Sequence, residues 1–293
     1  MPKISFSMAG SGNWQRWFPD DAACALYERI YPGGAALDEL AAEQRRRVQE
    51  WQAPGFVKID RGNVSPLVPV FTDEDESELA TWFSQVGQQA AAVVAGRIGE
   101  YRELAEALSG RGGVPSDYLL TILLCAHTLD VGTLEELHKG ILGSPPARAG
   151  GGHYFFWGRT ARSDGTYGFG VNTNRLFGEL LISLIHSPRV ERALPGQGAI
   201  VIPVLDSAAM QSIRKLCVPV SRRLAEAFSA NVDLLEDRLV RCSFAKCSRP
   251  DYLCMLFHMG YAHTAAALVE AGLLPAFPAR ADDAWGLWIR PAQ

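Results

Sequence analysis

Apolar side chains recur at helical spacing in two long stretches of the chain. The first stretch carries Leu79, Trp82, Phe83, Val86, Ala90, Val93 and Val94. The second stretch carries Ile213, Leu216, Val220, Leu224 and Phe228. Because residues three and four apart share one face of a helix, both stretches predict amphipathic helices. Chain-breaking residues follow each of them, at Gly110 to Gly113 and at Ser248 to Pro250, so each predicted helix ends before these segments.

Two short motifs recur at one spacing, which indicates an internal repeat. Pro69-Val70 recurs as Pro203-Val204, at an offset of 134 in residue number. Asp117-Tyr118-Leu119 recurs as Asp251-Tyr252-Leu253 at the same offset. Two anchors at one ungapped offset predict a duplicated unit. Coincidence between two helical stretches is the alternative.

Three pairs of aromatic or β-branched runs, each joined by turn residues, predict β-hairpins. They are Gly55 to Asp60 with Val64 to Val68, His153 to Gly158 with Tyr167 to Val171, and Leu273 to Phe277 with Ala284 to Ile289. Glycine beside Asn or Asp favours the tight turns that connect such strands. The pattern therefore predicts an α+β fold, mainly α, of two pseudo-symmetric repeats over residues 1–145 and 153–293.

The order of these predicted elements resembles a winged helix, in which a helix, a short helix and a helix precede a two-stranded wing. The residues that carry the resemblance are Leu37 to Phe56 with the strand pair after them, and Val269 to Leu274 with the final pair. The resemblance covers about half of the chain and implies a tandem winged-helix-like protein. Winged-helix proteins are mostly transcription regulators, while some are DNA glycosylases or protein-interaction modules. One departure is that Ala35 to Trp51 is predicted as one continuous helix without a turn.

The charge of the chain restricts how it could bind nucleic acid. The net charge is −4 and the sequence pI is about 5.9, so DNA binding requires a local basic patch. The predicted DNA-binding residues are Arg45, Arg46, Arg47 and Arg61, and Arg159 and Arg162 are further arginines of predicted wings. Arginine presents a rigid fork of donors that suits phosphate. For Arg45 to Arg47 the alternative is a solvated helix face on which they pair with Glu43 and Glu50.

Five thiol and imidazole side chains are concentrated near the C-terminus of the sequence. They are Cys242, Cys247, Cys254, His258 and His263. Cys254 and His258 are four residues apart on a predicted helix, so with His263 they are candidates for a nucleophilic thiol and its base. Zinc is the metal that such ligands would select, but the spacing matches no standard motif, so we expect no metal cofactor. The alternative is a set of buried, inert side chains.

The run of aromatic residues from Tyr154 to Trp157 is the second candidate site. Side chains alternate along a strand, so we expect at least one aromatic pair to face a groove, a partner domain or solvent. The predicted ligand-binding residues are His153, Tyr154, Phe156, Trp157, Arg159 and Asn172. A ligand pocket at the seam between the repeats is one interpretation, and packing between the repeats is the other.

We therefore predict a winged-helix regulatory protein that binds double-stranded DNA and a small-molecule ligand at the seam. The alternatives are an enzyme of specialised metabolism or nucleobase repair with an aromatic and Cys/His-lined pocket, and a protein-interaction module. Whether the protein is an enzyme stays open. The sequence contains no signal peptide and no apolar run long enough to span a bilayer, so we expect a cytoplasmic protein that does not bind membranes and keeps its six cysteines reduced.

Overall fold

A computed structural model describes residues 4–112, 115–160, 171–177, 180–186, 204–205, 207–275 and 285–289. It is an α+β structure, mainly α. Two compact units are built from interleaved segments of the chain. Unit 1 comprises Met1–Ala80, His138–Gly165 and Leu234–Phe257. Unit 2 comprises Thr81–Leu137, Thr166–Asp233 and His258–Gln293.

The N-terminal part of the chain, up to Phe71, forms short elements. In chain order they are β1 (Ile4–Gly12), α1 (Asp21–Ile30), β2 (Ala35–Ala36), α2 (Ala42–Glu50), β3 (Val57–Asp60), β4 (Asn63–Pro66) and β5 (Val70–Phe71). Two single turns of 3-10 helix lie between them, at Trp14–Arg16 and Leu37–Glu39. The predicted hairpin in this region is confirmed as β3 and β4, which pair antiparallel from Val57↔Pro66 to Asp60↔Asn63.

Helices dominate the rest of the described chain. They are α3 (Asp73–Ala95), α4 (Ile98–Gly112), α5 (Ser116–Thr121), a π-helix (Ile122–Gly132) and α6 (Thr133–His138). The strands β6 (Gly152–Thr160), β7 (Val171–Phe177), β8 (Leu180–His186) and β9 (Val204–Leu205) follow. The chain continues with α7 (Ser207–Asp233), α8 (Glu236–Leu239), α9 (Arg249–Glu270) and β10 (Trp285–Ile289). The two amphipathic helices predicted from apolar periodicity are confirmed as α3 and α7.

The sheet of unit 1 has β6 at its centre. β1 pairs with β6 antiparallel from Ile4↔Thr160 to Gly12↔Gly152, and β5 pairs with its other edge in parallel. The second strand of the predicted hairpin between His153–Gly158 and Tyr167–Val171 lies, apart from Val171, outside the described residues. Of the predicted C-terminal hairpin, Leu273 to Pro275 form no strand, Ala276 and Phe277 lie outside the described residues, and β10 pairs with β8 and β9. Local turn residues could not show that β6 and β10 pair with strands that are distant in sequence.

Stacked aromatic side chains form the core of unit 1. Phe156 of β6 lies 5.2 Å from Phe6 of β1 and 4.7 Å from Phe56, measured between ring centroids. Phe18 stacks on Trp51 at 4.9 Å. Aromatic pairs at these distances add about 0.5–1.5 kcal/mol each beyond the burial of their area. These contacts hold α1 and α2 against the β1–β6 face of the sheet.

A buried ion pair crosses the same unit. Arg148 Nη2 donates to both carboxylate oxygens of Asp251, at 2.6 and 2.7 Å, and both side chains are almost fully buried. Arg148 also donates to the carbonyl oxygens of Pro54 and Tyr154, and Asp251 accepts a hydrogen bond from the Phe156 N–H group. Because each group has several partners, the cost of burying the charges is offset. The pair joins α9 to β6 and to the loop before β3.

Unit 2 is built around an aliphatic core of helices. α4, α5, the π-helix and α7 contribute buried leucine, isoleucine and valine side chains, and Leu268 of α9 is fully buried with them. Its sheet has the strand order β7-β8-β10-β9. Among the described residues, α9 is the one helix long and apolar enough to cross a membrane, but 59% of its apolar window is buried inside the protein.

Candidate functional site

Residues 21–66 of unit 1 form a small module of two helices and three strands. Its order is α1, β2, the 3-10 turn Leu37–Glu39, α2, β3 and β4, and its sheet order is β2-β4-β3. Leu40 and Ala41 are extended, with ψ of 142° and 156°, so they separate the 3-10 turn from α2. The prediction of one continuous helix from Ala35 to Trp51 is therefore wrong.

The break between the two helices has a local cause that needs neither glycine nor proline. Leu40 is buried, which fixes the extended backbone against the core. Gln44 Oε1 accepts a hydrogen bond from the Ala41 N–H group at 3.1 Å, so this side chain satisfies a donor that the start of α2 leaves unpaired. A buried leucine followed by a capping glutamine was the sequence signal for the turn.

The two faces of α2 differ sharply. Val48 and the following Trp51 are buried, and Trp51 Nε1 donates to the Trp17 carbonyl oxygen at 3.0 Å. Arg45 and Arg46 lie on the exposed face. Arg46 pairs with Glu50 at 3.1 Å, an exposed pair of the kind that contributes little to stability. Arg45 has no ion-pair partner within the described residues.

Arg47 differs from its two neighbours. Its guanidinium donates to Asp20 Oδ1 at 2.8 Å, and the same carboxylate caps α1 by accepting from the Ala23 N–H group at 2.7 Å. The hydrogen bond from Arg47 is the main reason that the pKa of Asp20 lies below its ordinary value. Arg47 therefore links α2 to the start of α1, while Arg45 and Arg46 stay accessible to a ligand.

The turn between β3 and β4 presents the fourth predicted arginine. Arg61 and Gly62 both have positive φ, of 49° and 82°, and both are exposed. The Gly62 carbonyl oxygen accepts from the Leu37 N–H group at 2.7 Å, which ties this turn to the 3-10 turn before α2. We call β3, β4 and their turn the wing. Arg61 therefore projects from the tip of the wing in the same module as Arg45 and Arg46.

A cleft of about 590 Å³ opens elsewhere in unit 1. α1 and the residue after it contribute Glu28 and Tyr31 to its lining, and the first turns of α3 contribute Glu74, Asp75 and Glu78. The segment after α8 contributes Arg241 and Ser243. We call this space the unit 1 cleft. It lies outside every set of residues that the sequence predicted as a site.

A chain of hydrogen bonds forms one wall of the unit 1 cleft. The Tyr31 and Ser243 hydroxyls lie 2.8 Å apart, and Ser243 Oγ donates to Asp75 Oδ2 at 2.8 Å. Asp75 also accepts from Thr72 Oγ1 and from the N–H groups of Thr72 and Ser243. Burial is the main reason that the pKa of Tyr31 is raised, so its phenol stays protonated at neutral pH. This wall is preorganised and neutral except for the Asp75 carboxylate.

The predicted residues Cys254, His258 and His263 all lie on α9, and their side chains have different neighbours. Cys254 is fully buried in unit 1. In unit 2, His258 Nε2 lies 3.9 Å from Asp130 Oδ1, and the His263 ring stacks on Phe83 at 4.5 Å. Within the described residues there is no group of three or more His, Cys, Asp or Glu side chains that could hold a metal ion.

The remaining cysteine candidates lie in unit 1. Burial raises the pKa of Cys242 and of Cys247 to about 12, so both thiols are protonated at neutral pH. A reactive cysteine instead needs a lowered pKa. Neither thiol is therefore activated for nucleophilic attack in this environment.

The predicted aromatic ligand site lies mostly in a core. Tyr154, Phe155, Phe156 and Trp157 are all buried, since β6 is a central strand covered on both faces. None of the four therefore faces solvent, which was one of the three expectations for an aromatic pair. A groove and a partner domain stay predictions.

The polar residues predicted beside the aromatic run have different environments. His153 is exposed at the start of β6. Arg159 Nη2 pairs with Glu76 at 3.1 Å. Asn172 lies in β7, but its side chain and the whole of Arg162 fall outside the described residues.

The sequence did contain one signal for the unit 1 cleft. Thr72 followed three residues later by the carboxylate of Asp75 is a reciprocal capping pattern, and both hydrogen bonds of the pattern form. The pattern marks the start of α3, which contributes three carboxylates to the lining of the unit 1 cleft. Tyr31 and Ser243 had no such signal, because 212 residues separate them in sequence.

Comparison with known proteins finds no matching family model, no matching curated protein and no matching solved structure. The proposals below therefore depend on the topology and side-chain geometry of this chain.

Proposed function

We propose that the protein is a cytoplasmic winged-helix-type regulator that binds double-stranded DNA through residues 21–66. In this proposal α2 enters the major groove, and the wing contacts the phosphates beside it. The observation that carries the proposal is the placement of three exposed arginines, Arg45 and Arg46 on α2 and Arg61 at the wing tip, within one module of winged-helix order.

The topology supports the proposal because it supplies the turn that a DNA-reading helix pair needs. A helix-turn-helix protein places its second helix in the major groove, while the first helix crosses the backbone. Here the 3-10 turn Leu37–Glu39 and α2 are separated by two extended residues, and the inner face of α2 is anchored by Val48 and Trp51. The outer face of α2 is therefore held rigidly towards a ligand.

The charge distribution sets the expected strength of binding. Three arginines that contact phosphate would release about three counterions, which corresponds to a slope of about −3 in log affinity against log salt concentration. The net charge of −4 opposes binding at long range. We therefore expect binding that is readily measured at low salt and weak at physiological salt.

We also propose that the chain contains an internal duplication, into which the winged-helix module is inserted. The residue-number offset that relates the two sequence motifs also relates β5 to β9. It relates the first residue of α3 to the first residue of α7 as well. In each copy a short strand is followed by helices and then by a strand that pairs with the short one in parallel. These parallel pairs are β5 with β6 and β9 with β10. The strand orders β1-β6-β5 and β8-β10-β9 also correspond.

In this proposal the chain contains one winged-helix module, whereas the sequence predicted two in tandem. In the first copy, the module of residues 21–66 lies between β1 and β5. In the second copy, residues 187–203 separate β8 from β9, which leaves no length for an equivalent module. The DNA-binding proposal therefore concerns one module in each chain.

The test is fluorescence anisotropy with random-sequence duplex DNA, titrated across salt concentration. We expect the wild-type slope to be about −3 and the triple variant Arg45→Ala/Arg46→Ala/Arg61→Ala to lose most of that slope. The matched control is Arg214→Ala/Lys215→Ala/Arg223→Ala, which removes three exposed positive charges from α7. Absence of binding at low salt, or an equal loss in the control, would contradict the proposal.

A further inference from the structure

We propose that α2 reads base sequence in the major groove, where Arg46 contacts a guanine and Glu43 contacts a neighbouring cytosine. This inference rests on the proposed DNA binding and deepens it, since it names the base pairs that the module selects. The observation that carries it is the order of charges on the exposed face of α2, where Glu43 and Glu50 lie on either side of Arg46. A face that only neutralised phosphates would carry one sign of charge.

Arg46 lies at the centre of the exposed face of α2. Successive residues of an α-helix turn by about 100°, so Arg46 points about 160° away from the buried Val48. Its side chain is 67% exposed. Arg45 is turned only about 60° from Val48, so it lies at the edge of the exposed face. The centre of the outer face of a helix in the major groove meets base edges, and its sides meet the phosphates.

The Arg46 guanidinium is oriented by one contact and keeps most of its donors for a base. Its Nη1 donates to Glu50 Oε1 at 3.1 Å, one helical turn later on the same face. An arginine has five N–H donors, and this is the one hydrogen bond that Arg46 forms within the described residues. Two N–H groups of a guanidinium match the O6 and N7 acceptors of guanine. Glu50 is therefore a positioning residue that fixes the direction of Arg46.

The position of Glu43 favours contact with a base over contact with a phosphate. Glu43 is exposed and lies three residues before Arg46, so it is on the neighbouring turn of the same face. A phosphate repels a carboxylate, whereas the N4 amino group of cytosine is a donor that a carboxylate accepts in the major groove. Glu43 beside Arg46 therefore suits two adjacent G·C pairs, one read at its guanine and the other at its cytosine.

The three consecutive arginines have different functions in this proposal. Arg45, with Arg61 of the wing, contacts phosphates at the edges of the groove. Arg46 contacts a base, and Arg47 donates to Asp20 at 2.8 Å and joins α2 to the start of α1. Arg46 places a positive charge beside any duplex, so the expected salt slope of about −3 stays the same. The base contacts add a preference among sequences.

The experiment is fluorescence anisotropy of the full chain at low salt with duplexes that differ only in a central block. The block contains alternating G·C and C·G pairs, alternating A·T and T·A pairs, or the first block with inosine or 7-deazaguanine in place of guanine. Inosine keeps both major-groove acceptors and lacks the minor-groove amino group, whereas 7-deazaguanine lacks N7. We expect the G·C and inosine duplexes to bind alike, the A·T duplex to bind about tenfold to a hundredfold more weakly, and the 7-deazaguanine duplex to bind more weakly than the G·C duplex.

The outcomes separate this inference from the proposed function. Equal affinity for the G·C and A·T duplexes would overturn the base reading and leave the DNA binding intact. A loss with inosine as large as the loss with the A·T block would place the contacts in the minor groove and would also overturn the base reading. No binding to any of the duplexes would overturn both proposals.

Single variants separate the base contacts from the phosphate contacts. Arg46→Ala is expected to bring the ratio of G·C to A·T affinity to about one, while the retained binding shows that the variant is folded. Glu50→Gln is expected to lower this ratio, and Arg61→Ala to weaken binding of both duplexes equally and keep the ratio. The matched control Arg214→Ala, at an exposed arginine of α7, is expected to change neither affinity nor ratio. A ratio that survives Arg46→Ala, or falls equally with Arg61→Ala, would contradict the assignment of Arg46 to a base.

Discussion

Unit 2 has a type of short-range buried polar contact that the described part of unit 1 does not show, a side chain that donates to the carbonyl oxygen five residues earlier. In unit 1 the partners are distant in sequence: Arg148 and Asp251 are 103 residues apart, and Tyr31 and Ser243 are 212 residues apart. In unit 2, Thr128 Oγ1 donates to the Leu123 carbonyl oxygen, five residues earlier, and Thr133 Oγ1 donates to that of Thr128. Both units have long-range polar contacts, since Trp82 Nε1 of unit 2 donates to the Asn231 carbonyl oxygen, 149 residues away, and unit 2 adds the short-range bonds at the π-helix.

The largest expected effect concerns the long-range ion pair of unit 1. Asp251→Asn keeps the shape of the side chain but leaves the buried Arg148 guanidinium without its charged partner. We expect the free energy of unfolding to fall by about 3–5 kcal/mol, because one charge then remains buried and uncompensated. Urea denaturation followed by circular dichroism measures the change.

The matched control for Asp251→Asn is Glu50→Gln, which breaks the exposed pair with Arg46. We expect that change to stay within about 0.5 kcal/mol, since exposed ion pairs contribute little. If the two variants were equally stable, the Arg148–Asp251 pair would not be what stabilises unit 1.

A histidine in the π-helix of unit 2 gives the next largest effect. His127 Nε2 is buried and has no hydrogen-bond partner among the described residues, and burial lowers the pKa of His127 from 6.5 to about 4. The unfolded chain therefore binds a proton at a higher pH than the folded chain. The stability that neutral His127 contributes is complete above pH 6.5 and is lost as the pH falls towards 4, by about 3 kcal/mol in total.

The variant His127→Leu removes this titration. Between pH 7 and pH 4 the free energy of unfolding is expected to fall for both proteins. The fall of the variant should be smaller than that of the wild type by about 3 kcal/mol. The matched control is His153→Gln, at an exposed histidine of β6 in unit 1, which should keep the wild-type pH dependence. Parallel pH profiles for His127→Leu and the wild type would show that the imidazole is hydrated or hydrogen bonded in solution.

The same contrast explains how much the sequence could predict. α3 and α7 followed from apolar periodicity, and the β3–β4 hairpin followed from the turn residues Arg61-Gly62-Asn63, because both signals are local. The partners of β6 and the residues of the unit 1 cleft could not be predicted, since they meet only after distant segments have packed. The arginines of α2 were found as a group, but the separation of Arg47 from Arg45 and Arg46 depends on Asp20, a residue of another element.

The smallest expected effect tests the close packing of the π-helix in unit 2. A Cβ at Gly132 would collide with Ser221 Oγ and lie 2.6 Å from the His127 carbonyl oxygen, whereas a Cβ at Gly110 of α4 would meet nothing within 4 Å. We expect Gly132→Ala to lower the free energy of unfolding by about 1–2 kcal/mol, and Gly110→Ala to raise it by about 0.5–1 kcal/mol through helix propensity. Adding Ser221→Ala should recover part of the loss at Gly132, because it removes one of the two colliding groups. If both glycine variants instead gained stability to the same extent in urea denaturation, the π-helix would have room for a methyl group, and local packing would not distinguish unit 2 from unit 1.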